Sequence, residues 1–142
     1  MDDDIKLLNY IYQNSQMGVD TISQLIDIVE NPRFKRYLQK KYHGYQKFHL
    51  KAKRLLHQHG YDERGIKKID QIKTYLMINM QTLTDHSSSH IAKMLMVGSS
   101  MGIINTITTV KKCHKAKKEI IKLMRKLRKF EEESFNDLKL FL

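Results

Sequence analysis

One cysteine, one proline and six glycines are all that this chain of 142 residues carries of the residues that staple, kink or turn a backbone. The lone Cys113 has no partner for an internal disulfide, and no paired Cys/His spacing of the zinc-ribbon kind is present. A reducing, cytoplasmic setting fits, and a chain of this length can bury a core as one domain without staples. A secretory start is lacking too, because Met1-Asp2-Asp3-Asp4 is acidic where a leader would be basic and then apolar. Met94 to Val110 holds no charged side chain, but it is shorter than the ~20 residues of a bilayer span. It also contains Ser99, Ser100, Asn105, Thr106, Thr108 and Thr109. The expectation is the most buried helix of a soluble bundle, with no transmembrane segment.

With so few breakers, and with no strand-length alternation of β-branched and polar residues, the chain reads as helical nearly throughout. Leu8, Ile11, Ser15, Gly18, Ile22, Leu25 and Val29 recur in steps of three and four, which predicts a first helix over about 3–30. Asp2 to Asp4 lie at its start, where carboxylates favour the positive end of the helix dipole. Asn31-Pro32 stops this helix and starts the next, over about 32–59, with Phe34, Leu38, Tyr45, Phe48, Ala52 and Leu55 on its apolar stripe and Gly60 at its end. Ile69, Ile72, Leu76, Met80 and Leu83 mark a shorter helix over about 66–84, and Asp85-His86-Ser87-Ser88-Ser89 breaks it. A third long helix over about 89–112 is apolar on nearly every side. A last one over about 114–141 carries Ile120, Leu123, Leu127, Phe130, Leu138 and Phe141.

A crossover helix of that length rises ~27 Å, enough to return the chain along the bundle and make the second and third long helices parallel. The expected fold is therefore all-α: an antiparallel four-helix bundle with the ferritin-like up-down-down-up path and a short crossover helix. Met17-Gly18-Val19-Asp20-Thr21-Ile22 echoes Met101-Gly102-Ile103-Ile104-Asn105-Thr106-Ile107, as two related hairpins would. Gln16-Met17-Gly18, Thr82-Leu83-Thr84-Asp85, Ser89-His90-Ile91-Ala92, Gly98-Ser99-Ser100-Met101-Gly102, Phe130-Glu131-Glu132-Glu133 and Leu138-Lys139 resemble small bacterial ferritin-like proteins over most of the chain. In proteins of that kind glutamates stand where Gly44 and Lys93 stand here, so the resemblance implies a loss of acidic side chains that a metal site might use.

A ferritin-like di-iron site takes a glutamate from each of two helices and a Glu-x-x-His from each of the other two. No Glu-x-x-His occurs here, and residues 31–61 and 91–110 contain no carboxylate. No catalytic residue is therefore assigned, and no cofactor is expected. The alternative, an atypical iron, manganese or zinc site, draws on His43, His49, Glu131 and Glu132, or on His86 and His90 at a four-residue spacing. His43 and His49 are expected near the inner edge of the second helix, facing the acids of the last. Two small-residue patches, Ser15 with Gly18 and Gly98 with Gly102, either let backbones approach closely or line a cavity walled by Met17, Met80, Met94 and Met101.

Charge is the strongest functional signal. The 26 lysines and arginines outweigh 15 acids for a net +11, a balance that concerns steering and anionic partners rather than fold. Lys111, Lys112, Lys115, Lys117, Lys118, Lys122, Arg125, Lys126, Arg128 and Lys129 crowd the last helix and its approach. Arg33, Lys35, Arg36, Lys40, Lys41, Lys47, Lys51, Lys53 and Arg54 crowd the second helix. If the two helices are neighbours, these residues form one surface for phosphates without base readout. Aromatic residues are too sparse around 111–129 for a single-strand stacking platform. The expected function is non-catalytic, as a homo-oligomer or as a binder of nucleic acid or another anionic surface. A spore-coat-like structural role is a further alternative on fold analogy alone.

Overall fold

The computed structural model describes residues 2–62 and 83–142, and among them the only regular elements are helices. These are α1 (Asp3–Leu25), α2 (Pro32–Gln58), α3 (Ser88–Lys112) and α4 (Lys118–Leu138), followed by a 3-10 turn over Lys139–Phe141. The crossover helix expected over 66–84 falls almost wholly outside the described residues. Leu83 to Ser87 are not helical, and Ser87 caps α3 by accepting a hydrogen bond from the His90 amide at 3.2 Å.

Each helix boundary has a local cause. Asp2 caps α1 by accepting from the Ile5 amide at 2.9 Å, and Asn31 caps α2 by accepting from the Phe34 amide at 3.0 Å. α1 stops at Leu25, short of the expected residue 30. There both Ile28 and Val29 turn their amides onto the Leu25 carbonyl, which tightens the last turn and points the chain into Asn31-Pro32. Gly60 closes α2 with φ 82°, a left-handed conformation that glycine adopts without steric cost. α4 begins at Lys118 with no capping side chain of its own. Instead Asp3 and Asp4 of α1 accept from the Lys115 and Lys117 amides at 2.9 and 2.8 Å.

α1 packs most extensively on α2, and α3 on α4. The hydrophobic interior is divided in two. One cluster joins Leu8 and Ile11 of α1 to Leu56 of α2, Cys113 and Ala116 of the α3–α4 corner, and Ile120 and Leu127 of α4. The other joins Ile22 and Leu25 to Phe34 and Leu38, Ile91 and Met94, and Leu138 and Phe141. The Phe34 and Phe141 rings stack there with centroids 4.4 Å apart.

α3 differs from expectation. Its inward residues include Ser99, Gly102 and Thr106, while Val97 and Ile104 are 38% and 57% exposed. Small residues face inward because bulky side chains from α1 and α4 already fill the space opposite them, which turns apolar side chains outward. By length and composition α3 is also the one helix among the described residues able to cross a membrane.

Candidate functional site

A polar layer lies between the two hydrophobic clusters. Glu131 of α4 is buried at its centre. Its Oε1 accepts from the Tyr45 hydroxyl of α2 at 2.7 Å and from Asn14 Nδ2 of α1 at 3.4 Å. Tyr10 of α1 donates its hydroxyl to the Gly102 carbonyl of α3 at 3.3 Å. All four helices thus contribute. Two glycines make the layer possible: a Cβ on Gly18 would stand 2.5 Å from Tyr45 Cγ, and one on Gly102 would stand 3.3 Å from Glu131 Cδ. The space directly over Gly18 and over Gly102 is therefore filled by a side chain of the polar layer.

Burial governs the ionisation of this layer. It raises the Glu131 carboxyl above its ordinary value, against the opposing pull of hydrogen bonds from Tyr45, Asn14 and Ser99. It also raises the Tyr10 and Tyr45 hydroxyls, with the Glu131 charge adding to the effect. Lys41 of α2 is only 7% exposed, and burial lowers its ammonium group against the attraction of Asp137, Glu133 and Glu131. The ammonium rests over the Phe130 ring, 4.2 Å from the centroid. A cavity of about 50 Å3 adjoins these groups, walled by residues of all four helices that include Met17, Gly18, Leu38, Lys41, Leu95, Gly98 and Glu131.

The residues considered for a metal do not gather. His43 and Glu132 are exposed, as are His86 and His90. His49 turns toward α1, with Nδ1 3.3 Å from the Tyr12 carbonyl and 3.5 Å from Ser15 Oγ, not toward the acids of α4. Glu132 instead pairs with Arg128 one turn away at 3.1 Å. No three metal-ligating side chains meet among the described residues. Nor do the described residues of the interior offer what two iron ions require. Glu131 is its one buried carboxylate among the described residues, and it is accompanied by amide, hydroxyl and ammonium groups in place of carboxylates and imidazoles. Lys93 is exposed, and a Cβ at Gly44 would strike the Phe130 ring, so that position is closed by an aromatic ring.

The basic residues fare differently. Arg33, Arg36, Lys40, Lys47, Lys51 and Arg54 of α2 are exposed, as are Lys111, Lys112, Lys115, Lys117, Lys118, Lys122, Arg125, Lys126 and Lys129; Arg128 is half-buried. On α2, Lys35 and Lys53 are half-buried and Lys41 is buried. α2 and α4 are neighbours, with Tyr45 and Phe48 of α2 packed on Phe130 at centroid separations of 4.9 and 5.5 Å.

The charge is polarised along the bundle. The end that holds the start of α1, the end of α2 and the α3–α4 corner (residues 2–13, 46–62 and 104–126) carries thirteen lysines and arginines against five acids. The other end (14–45, 83–103 and 127–142) carries nine against eight. At the basic end two of the acids, Asp3 and Asp4, are held against the Lys115 and Lys117 amides, and Asp4 also lies 3.5 Å from His59.

Asn14, Tyr10, Ser99 and Lys41 escaped the sequence reading as members of one site. Their signal is present: Lys41 falls between Leu38 and Tyr45 on the α2 stripe, and Glu131 and Ser134 fill the gap between Leu127 and Leu138 on α4. No protein-family model matches this chain, and no curated protein or solved structure does either.

Proposed function

We propose that the protein is a non-catalytic helical bundle that holds a polyanion, a nucleic acid gripped by its phosphates without sequence readout, against its basic end. The observation that carries this reading is the segregation of charge among the described residues, thirteen basic residues against five acids at one end and near balance at the other. Exposed lysines on α2, at the corner and on α4 present a cationic surface there, while Asp2, Asp3 and Asp4 are engaged in backbone hydrogen bonds. Such binding releases condensed counterions and is steeply salt-dependent. Titration of a fluorescent DNA duplex should give an affinity that falls about 10³-fold or more between 50 and 200 mM salt, with little dependence on base sequence. Absence of binding at low salt contradicts the reading. Preference for phosphatidylserine vesicles over the duplex would replace nucleic acid with a membrane surface.

The chain path we infer is the ferritin-like up-down-down-up one. Its support is the company each helix end keeps: Asp3 and Asp4 meet the start of α4, Asn14 meets Glu131, and Ile22 shares a cluster with Leu138. That order runs α1 and α4 in the same direction. A pseudo-twofold relation supports it further, since Gly18 receives Tyr45 as Gly102 receives Glu131, and the two received side chains meet at the centre.

Self-association is a second reading, favoured by the outward apolar residues of α3. Between Lys93 and Lys111 that helix carries no charge, so it is a face on which two strongly cationic copies can approach with little repulsion. Light scattering should then report a dimer that Ile104→Glu returns to monomer, and a monomeric parent chain would remove the reading.

A further inference from the structure

The interior cavity combines features that a merely water-filled gap between helices does not need. Lys41 lines it while almost fully buried, at 7% exposure, and among the described residues no ion pair or hydrogen bond joins its ammonium to an acceptor. Its ammonium rests near the Tyr37 and Phe130 rings, 5.6 and 4.2 Å from their centroids, and such cation–π contact makes up only in part for the absence of a paired anion. Tyr37 lines the same cavity. Its buried hydroxyl is drawn toward Ser134 and Asp137 but closes no hydrogen bond within 3.5 Å. Two donors therefore belong to the lining, while Ile22, Leu38, Leu95 and Leu138 make other parts of it apolar.

We propose that this cavity is a binding site for a short-chain monocarboxylate, its carboxylate held by Lys41 and Tyr37 and its alkyl end against Leu95 and Leu138. Size supports the class. Each water-sized group needs ~10–15 Å3, so about 50 Å3 admits roughly three to five non-hydrogen atoms, which takes in acetate and propionate. Glu131 sets a condition on binding, because a second carboxylate is tolerated beside it only when one of the two carries a proton.

Burial already favours the protonated form of Glu131, and its surroundings decide how far. Tyr45 of α2 and Asn14 of α1 donate to it. Tyr10 lies near on α1, Ser99 on α3, and Lys41 faces it from α2. Lys41 in turn feels Asp137 and Glu133 from α4 and Lys40 on its own helix. Affinity should accordingly fall as pH rises and Glu131 ionises.

The site is independent of the polyanion surface, and the test separates them. Sodium propionate is titrated into the whole protein at constant ionic strength, with chloride as the replaced anion, and followed by NMR. Intermolecular NOEs from the propionate methyl to Leu95 and Leu138 methyls are expected. Lys41→Met, which replaces the ammonium with an apolar side chain of similar length, should weaken binding by about tenfold or more. Glu131→Gln should retain binding and lose its pH dependence. Two results overturn the proposal: no binding to the parent chain at tens of millimolar propionate, or equal binding by the parent chain and Lys41→Met with no NOE to interior methyls.

Discussion

Tyr45 occupies the space that Gly18 leaves and places its hydroxyl on Glu131, so the two residues are fixed by one another. Tyr45→Phe should destabilise the protein by about 1–3 kcal/mol, because a buried carboxyl loses its shortest hydrogen bond while staying buried. Gly18→Ala should cost about as much, by overpacking, since the ring it meets is tethered at its far end; chemical denaturation reads both. The raised Glu131 pKa has a defined sign. The folded state binds the proton more tightly than the unfolded one, so the stability this group lends is complete below the ordinary glutamate value of 4.5 and is lost as pH rises through the folded value. Glu131→Gln should remove that part of the pH profile, seen as a difference between the two stability curves. Little of this layer was legible beforehand. In the sequence Glu131 reads as a metal ligand or as one of the last-helix acids facing the second helix, and Lys41 reads with the surface charges although its place between Leu38 and Tyr45 puts it on the buried stripe.

Among the helices, the amphipathic ones were read most directly. The stripes of α1, α2 and α4 follow the helical period, and Asn31-Pro32 marks the turn between the first two because cap and proline both act locally. α3 misled for a physical reason. A helix that is apolar all round carries no periodic signal of which side faces inward, and the choice was made by Tyr10 and Glu131 on other helices, which take Gly102 as their partner. The sequence puts the start of α4 too early, at about 114, because the amides of Lys115 and Lys117 ahead of it are satisfied from a distance. Asp4 accepts from Lys117 at 2.8 Å and faces His59 at 3.5 Å. Asp4→Asn, which keeps an acceptor and removes the charge, should cost about 1–2 kcal/mol, measured by thermal unfolding near neutral pH. Addition of salt should narrow the gap between the two proteins, as expected for a charge near the surface.

At the scale of the whole molecule, composition reported the amount of charge but not its distribution. Net charge and the lysine-rich runs were plain in the sequence. Their gathering at one end required knowing that the end of α2 shares a hydrophobic cluster with the α3–α4 corner. The comparison that bears most directly on the proposed function reverses charge at each end in turn. Lys115→Glu, Lys118→Glu and Lys122→Glu together alter the basic end, and Arg33→Glu, Arg36→Glu and Lys40→Glu together alter the balanced end by the same amount. Duplex affinity at low salt should fall far more for the first set than for the second, with a shallower salt slope. Equal losses from the two sets would show that only net charge matters and would contradict the account.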